Sequence, residues 1–192
     1  MAEISEKTKM IEKIKNYMKN NQLDGYIIPK NDNYFTEFSK INNLQKLTGF
    51  TGSAGFALVL KEKNYLFVDG RYTLQANMQS GKNFKILQIP YKWPKDVIKE
   101  DYKKIGFDPN LFTQKTLNKY FENKSNLIPL SFKFKNHKTE IKKKFFLLKD
   151  KIIGENFKSK LNRVIFFLKK RKIKYFYVSS SENVCWLLNI RG

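Results

Sequence analysis

The sequence predicts an α/β fold: a mixed β-sheet flanked by helices, followed by the truncated start of a second, similar α/β domain. Three observations lead there. Helical patterns alternate with short apolar runs along residues 1–130. Two such runs near the centre, joined by a polar connector, have the form of a hairpin. Past a basic shift in composition over 131–151, one more helix–strand pair occurs by itself. The expected domains are therefore 1–130, complete, and 131–192, a linker and an incomplete second α/β domain. A length of 192 residues accommodates one domain and part of another. A hydrophobic content of 41%, with 17 Phe and 10 Tyr, supplies a sizeable core and argues against wholesale disorder.

Ser5–Asn20 reads as an amphipathic helix, because Met10, Ile11, Ile14, Tyr17 and Met18 fall at helical spacing between lysines. Asp24-Gly25 turns the chain into the apolar run Tyr26–Ile28, a buried strand stopped by Pro29. Lys30–Ile41 fits no single period and is expected to be a loop leading into a short helix. Asn42–Thr48 is a helical segment with Gly49 as its C-cap.

The centre of the chain, Gly49–Tyr72, holds a three-glycine segment and the apolar runs Phe56–Leu60 and Tyr65–Val68. Asp69 is placed to cap a helix whose apolar face would include Tyr72, Leu74 and Met78. Phe84–Ile89 is a strand closed by Pro90, and Trp93-Pro94 begins a helical piece to about Tyr102. Lys104–Phe107 is a short strand. Thr113–Asn123 is a helix N-capped by Thr113, with Leu117, Tyr120 and Phe121 inward, and Leu127-Ile128 is the last strand of the domain. Ser131–Lys151 reads as a basic linker running into a helix. Phe157–Lys172 is a helix with Leu161, Val164, Ile165 and Leu168 on one face, Tyr175–Val178 a strand, and Ser179–Leu188 a turn and helix. This repeats the plan of Ser5–Ile28, with Lys174–Tyr177 in the place of Asp24–Ile27. A sheet needs several strands, so the second domain is expected to be cut short.

Composition excludes several functions. No apolar run reaches the ~18–20 residues that cross a bilayer, and the N-terminus lacks the apolar region of a secretion signal. A cytoplasmic protein without membrane partners is the expectation. The net charge of +21 raises the question of nucleic acid. The basic residues, however, are 34 Lys and only 4 Arg. Lysine is a mobile, hydrated point charge without the bidentate fork that reads phosphates and bases, so a solvated lysine surface is the reading and no specific nucleic acid is expected.

The glycine segment lacks the Lys-Ser/Thr pair and following helix of a phosphate loop; Phe56 and a strand follow Gly55 instead. His137, the one histidine, stands in a lysine-rich run with no partner at ligand spacing, so neither a metal centre nor a nucleophile–base pair is readable. Cys185, the one cysteine, excludes an internal disulfide and reads as a small buried hydrophobe. What remains is Asp69, Arg71 and Glu37. Asp69 has a ready explanation as a helix cap. Arg71, in a chain that otherwise uses lysine, suggests bidentate pairing with a carboxylate, either Glu37 or a group outside this chain.

The motifs GFTGSAG (Gly49–Gly55) and VDGRYTLQA (Val68–Ala76), spaced by strand, turn and strand, resemble the N-terminal domain of Xaa-Pro aminopeptidases. These enzymes are relatives of creatinase and prolidase in the "pita-bread" metallopeptidase group. The likeness extends to DGYIIP (Asp24–Pro29), Glu37, GFDP (Gly106–Pro109) and CWLLNIRG (Cys185–Gly192). It implies the non-catalytic N-terminal region of an enzyme that releases a residue preceding proline, helping to shape the active-site entrance and the subunit contacts. The resemblance stops at Gly192, before any catalytic domain of that family would begin, so this chain alone is expected to be inactive. No cofactor is expected in this chain, and two divalent metal ions (Mn or Zn) are expected in the missing catalytic domain. The implied partners are peptides with proline at the second position and, at full length, further copies of the chain. Arg71 and Glu37 match family motifs that face the cleft and are the implied substrate-binding residues; a purely structural ion pair is the other reading of the two. The rival to the whole assignment is a non-catalytic creatinase-like module binding an acidic protein or nucleic acid.

Overall fold

In the computed structural model, which describes residues 6–36, 42–98, 103–134, 144–149 and 151–191, the chain divides into two units, 1–136 and 137–192. The first is built on a six-stranded sheet. Helix α1 (Glu6–Asn20) buries Ile11, Ile14 and Met18 as its inward stripe, and the chain turns at Gln22 into β1 (Gly25–Pro29), every residue of which is buried. Helix α2 (Asn43–Thr48) starts where the Asn42 side chain accepts from Gln45 N–H, and ends at Gly49, whose φ of 78° suits a residue without a Cβ. Strands β2 (Phe56–Leu60) and β3 (Asn64–Val68) form the expected antiparallel hairpin.

A single 3-10 turn at Gly70–Tyr72 leads into α3 (Thr73–Ser80), and then β4 (Lys85–Gln88) pairs parallel with β3. After a short 3-10 turn at Pro94–Asp96 come β5 (Lys103–Phe107), α4 (Gln114–Phe121, capped by Thr113) and β6 (Ser125–Pro129). The sheet order is β4-β3-β2-β1-β5-β6. Pairing is parallel except where β2 meets its neighbours, so five strands run one way and β2 runs against them.

Alternation along the strands distributes side chains to two cores. Tyr26, Ile28, Val59 and Leu66 pack on the α1–α2 side, whereas Ile27, Leu58 and Phe67 face α4 with its Leu117 and Phe121. Both faces of the central strands are therefore covered, the arrangement that continuous apolar strands require.

The second unit has little sheet. Strand β7 (Phe146–Leu147) pairs antiparallel with β8 (Ile190–Arg191), and between them lie α5 (Phe157–Lys170) and α6 (Ser181–Leu188). The Lys160 ammonium, only 6% exposed, donates to Trp186 O at 2.8 Å and Asn189 Oδ1 at 2.6 Å and lies 4.4 Å from the Trp186 ring centroid, joining the two helices.

Several expectations are corrected. Leu74 and Met78 on α3 are 75% and 80% exposed, and the inward positions are Ala76 and Ser80. At about 100° per residue, positions 74 and 78 lie on the side of the helix opposite 72, 76 and 80. Tyr175–Val178 is not a strand; it belongs to an irregular segment with no sheet partner among the described residues. The stretch read as a linker running into a helix contributes β7 instead, because β8 is available to pair with it. Beyond the 3-10 turn at Pro94–Asp96, the helical piece expected to Tyr102 runs outside the described residues, as does the short helix expected before Ile41.

Candidate functional site

The C-terminal ends of β1, β3, β4, β5 and β6 lie at one rim of the sheet, together with the start of β2. Loops leaving such a rim are where open α/β sheets place their ligands. Here the rim carries Lys30–Thr36 after β1, Gly49–Gly55 before β2, Asp69–Tyr72 after β3 and Asp108–Phe112 after β5.

The glycine segment is a packed floor. A Cβ at Gly52 would lie 2.1 Å from the Phe50 ring, and one at Gly55, where φ is 154°, would lie 2.8 Å from Phe67 O. Phe50 is fully buried and meets Tyr72 edge-on with ring centroids 5.8 Å apart, while the Tyr72 and Ser53 hydroxyls share a hydrogen bond of 2.8 Å. The amides of Gln75 and Gln79 donate to Thr51 Oγ1 at 2.8 and 3.0 Å, and Gln79 Oε1 accepts Thr51 N–H at 3.0 Å. The i, i+4 spacing of the two glutamines is the signal in the sequence for this clamp; its target, a threonine 24 residues away, is not.

Arg71 stands on that floor. Its guanidinium forks onto Asp69, with Nε 3.1 Å from Oδ1 and an Nη 2.7 Å from Oδ2. Asp69 also accepts Arg71 N–H at 2.9 Å, capping the 3-10 turn as the sequence suggests. Hydrogen bonding from Arg71 holds the Asp69 carboxyl below the usual carboxylate range, against the weaker pull of burial. The Arg71 side chain remains 72% exposed and lies 5.2 Å from the Tyr72 ring centroid. It is thus aimed outward from the rim, with the Asp69 carboxylate and the Tyr72 ring among the groups that hold it. Glu37 lies outside the described residues; the segment leading to it leaves the same rim.

That segment is ordered by Asp32, whose Oδ1 accepts the N–H groups of Tyr34 at 2.9 Å and Thr36 at 3.1 Å. Asn31 Nδ2 ties it to the β5 loop through Leu111 O at 3.0 Å. Tyr34 and Phe35 point outward, 75% and 52% exposed. The sequence, in which no single period fits this loop, allowed its aromatics to tuck onto the core; these two rings do not.

The arrangement can bind but holds little that reacts. Among the described residues no three His, Cys, Asp or Glu side chains approach as a metal site would require, and His137 is outside them. No helix among the described residues is long and apolar enough to cross a membrane.

Comparison with known proteins gives the family. A family profile described as the creatinase/prolidase N-terminal domain matches residues 10–136, and a second profile with the same description matches 136–192. Xaa-Pro aminopeptidase 1 of Dictyostelium discoideum is 29% identical over 211 aligned residues, covering 96% of this chain and 34% of that protein. The crystal structure of X-prolyl aminopeptidase from Caenorhabditis elegans, described as a cytosolic enzyme with a di-nuclear active site, superposes with a TM-score of 0.69 at 22% identity. It covers 88% of this chain and 30% of that one. A Streptococcus pyogenes Xaa-Pro aminopeptidase shares the fold over 65% of this chain and 92% of its own, with a TM-score of 0.51 at 17% identity. The chain spans about a third of the length of the Dictyostelium relative. By the match over residues 10–136, this chain belongs to the creatinase/prolidase N-terminal domain family.

Proposed function

We propose that this chain is the N-terminal region of an Xaa-Pro aminopeptidase, a metal-dependent hydrolase that releases an N-terminal residue preceding proline. In this reading the chain contributes no catalytic group and is inactive alone; it shapes the active-site entrance and the subunit contacts of the full-length enzyme. The observation that carries the proposal is the match to such an enzyme over 96% of the chain. In this reading two divalent ions, Mn or Zn, are held by the catalytic domain of the full-length enzyme. Cytoplasmic location is supported by the description of the nematode structure as cytosolic. No specific nucleic acid and no membrane partner is assigned.

At the rim, Arg71 and Glu37 are the substrate-binding residues of the proposal. The Asp69 fork and the Tyr72 ring hold the Arg71 guanidinium outward, where it can meet a peptide carboxylate or carbonyl. In the full-length enzyme, Arg71→Lys lowers kcat/KM by at least about tenfold, or ~1.4 kcal/mol of transition-state binding, with melting temperature nearly unchanged. Glu37→Gln tests whether the two act together. Unchanged kinetics in stably folded variants would remove the site, and proline-directed cleavage by the purified 192-residue chain with metal added would overturn its non-catalytic role.

A further inference from the structure

The first unit sorts its exposed rings to one end of the sheet. Among its described residues, the aromatic side chains left exposed are Tyr34, Phe35 and Tyr91, at 75%, 52% and 75%. All three sit on loops leaving the rim that carries Arg71, Tyr34 and Phe35 after β1 and Tyr91 after β4. The connections at the opposite end expose Lys61, Glu62, Lys63, Lys82, Glu122 and Lys124 instead. Apolar side chains scattered singly over a surface need no explanation; rings gathered at the end that also holds an outward guanidinium do.

Phe35 holds its place against the preference of its own backbone. Its φ is 59°, in the left-handed region that bulky side chains rarely adopt and glycine adopts freely. The turn that imposes this conformation is closed by Phe35 N–H to Asp32 O at 3.0 Å, and by Asp32 Oδ1 on Tyr34 and Thr36. Glycine at 35 would suit that turn better, and a half-exposed ring returns little burial in exchange. The fold alone gives no reason for phenylalanine here. Strand order then sets the distance from these rings to Arg71. Strands β1 and β3 are separated by β2, so the roots of their loops lie about 10 Å apart. Between them the chain enters β2 through Ser53, Ala54 and Gly55, the smallest side chains available. An extended peptide advances roughly 3.3 Å per residue, so three residues cross that distance.

We infer that Tyr34 and Phe35 read a side chain of the peptide that Arg71 anchors, and that they select an apolar one. The chemistry of the rim matches that of an extended peptide. The guanidinium meets a carbonyl or carboxylate, and the two ring faces receive an aliphatic or aromatic side chain about three residues away. The inference rests on the peptidase reading and deepens it. The substrates it adds are proline peptides of more than two residues that carry an apolar residue at one position beyond the proline.

The test measures kcat/KM of the full-length enzyme on peptides that begin Ala-Pro and carry leucine or glutamine at each later position in turn. Leucine and glutamine are similar in size and both uncharged, so the lysine surface does not discriminate between them. At one position leucine is favoured by at least about tenfold. In the double variant Tyr34→Ser, Phe35→Gly that preference falls below about twofold. The same double variant of the 192-residue chain unfolds in urea at a midpoint no lower than the parent's, because glycine relieves the backbone at position 35. A preference that survives the double substitution would overturn the inference and leave the peptidase reading standing. Failure of the enzyme to cleave any of these peptides would overturn that reading and the inference with it. A double variant that keeps the preference but sediments as a smaller assembly would make the rings a subunit contact, and a lowered urea midpoint would return Phe35 to the fold; either would overturn the inference.

Discussion

The pair α1–β1 and α5 with Tyr175–Val178 is a comparison the molecule makes within itself. Both helices carry an apolar stripe, both stop on the same backbone hydrogen bonds with a left-handed residue two positions later, and both lead into an apolar run. Only the first run is a strand. The difference lies in what stands beside them: β2 and β5 satisfy the backbone of β1 and, with the layers above and below, bury its side chains. Local sequence therefore suffices for a helix and its stop, because those bonds close within a few residues. A strand is a property of its neighbours.

The largest test of this contrast substitutes matched positions. Leu23→Ala should cost about 2–5 kcal/mol, since the side chain is 1% exposed in a packed core. Ile173→Ala, at the matching position and 42% exposed, should cost below about 1 kcal/mol in the 192-residue chain. Urea unfolding followed by probes in each unit measures both, and similar losses would break the comparison.

Tyr26 sharpens it through pH. Its hydroxyl donates to Leu130 O at 2.6 Å and accepts Phe132 N–H at 2.9 Å, and burial pushes its pKa up from the usual tyrosine value. A group raised in the folded state contributes stability that is fully present below its unfolded pKa and is lost as pH rises through the folded one. The first unit should accordingly weaken above about pH 10. Tyr26→Phe should reduce that alkaline slope while costing about 1–3 kcal/mol at neutral pH, because Leu130 O and Phe132 N lose a partner. An unaltered slope would locate the alkaline loss at the other tyrosines of the unit whose pKa burial raises, Tyr120, to about 12, and Tyr17.

In the second unit the buried polar contact of Lys160 takes the place of a core. Lys160→Met should cost roughly 1–2 kcal/mol, read as loss of amide protection in α6, because Trp186 O and Asn189 Oδ1 lose their donor. The smallest effect is expected at the rim. Arg71→Lys should change the stability of the 192-residue chain by less than about 0.5 kcal/mol, since an exposed pair is screened by solvent. A larger loss would make the Asp69–Arg71 fork a structural ion pair and weaken its assignment to substrate.

Much of the site was legible for local reasons. Asp69 as a cap and the glycine segment as a close-packed approach to the hairpin follow from short-range geometry, and the structure shows both. The pairing of Arg71 with Asp69 was not legible. A side chain of that reach has several carboxylates in sequence to choose from, and the reading left Glu37 and a group outside this chain open; the structure shows a fork on Asp69, two residues away, while Glu37 lies outside the described residues. The outward Tyr34 and Phe35 and the clamp of Gln75 and Gln79 on Thr51 arise from loops brought together by the sheet.

By itself the sequence determined the helices, their caps, the β2–β3 hairpin and the family, because periodicity, capping chemistry and turn residues act over a few positions and recur as motifs. Tertiary structure alone decided three things. It turned Leu74 and Met78 outward, since which side of a helix meets the core depends on where the sheet lies. It buried a lysine between α5 and α6, since only the fold brings two carbonyl oxygens and an indole to one ammonium. It also left Tyr175–Val178 irregular while β1 became a central strand, because the hydrogen bonds that make a strand are supplied from elsewhere in the chain.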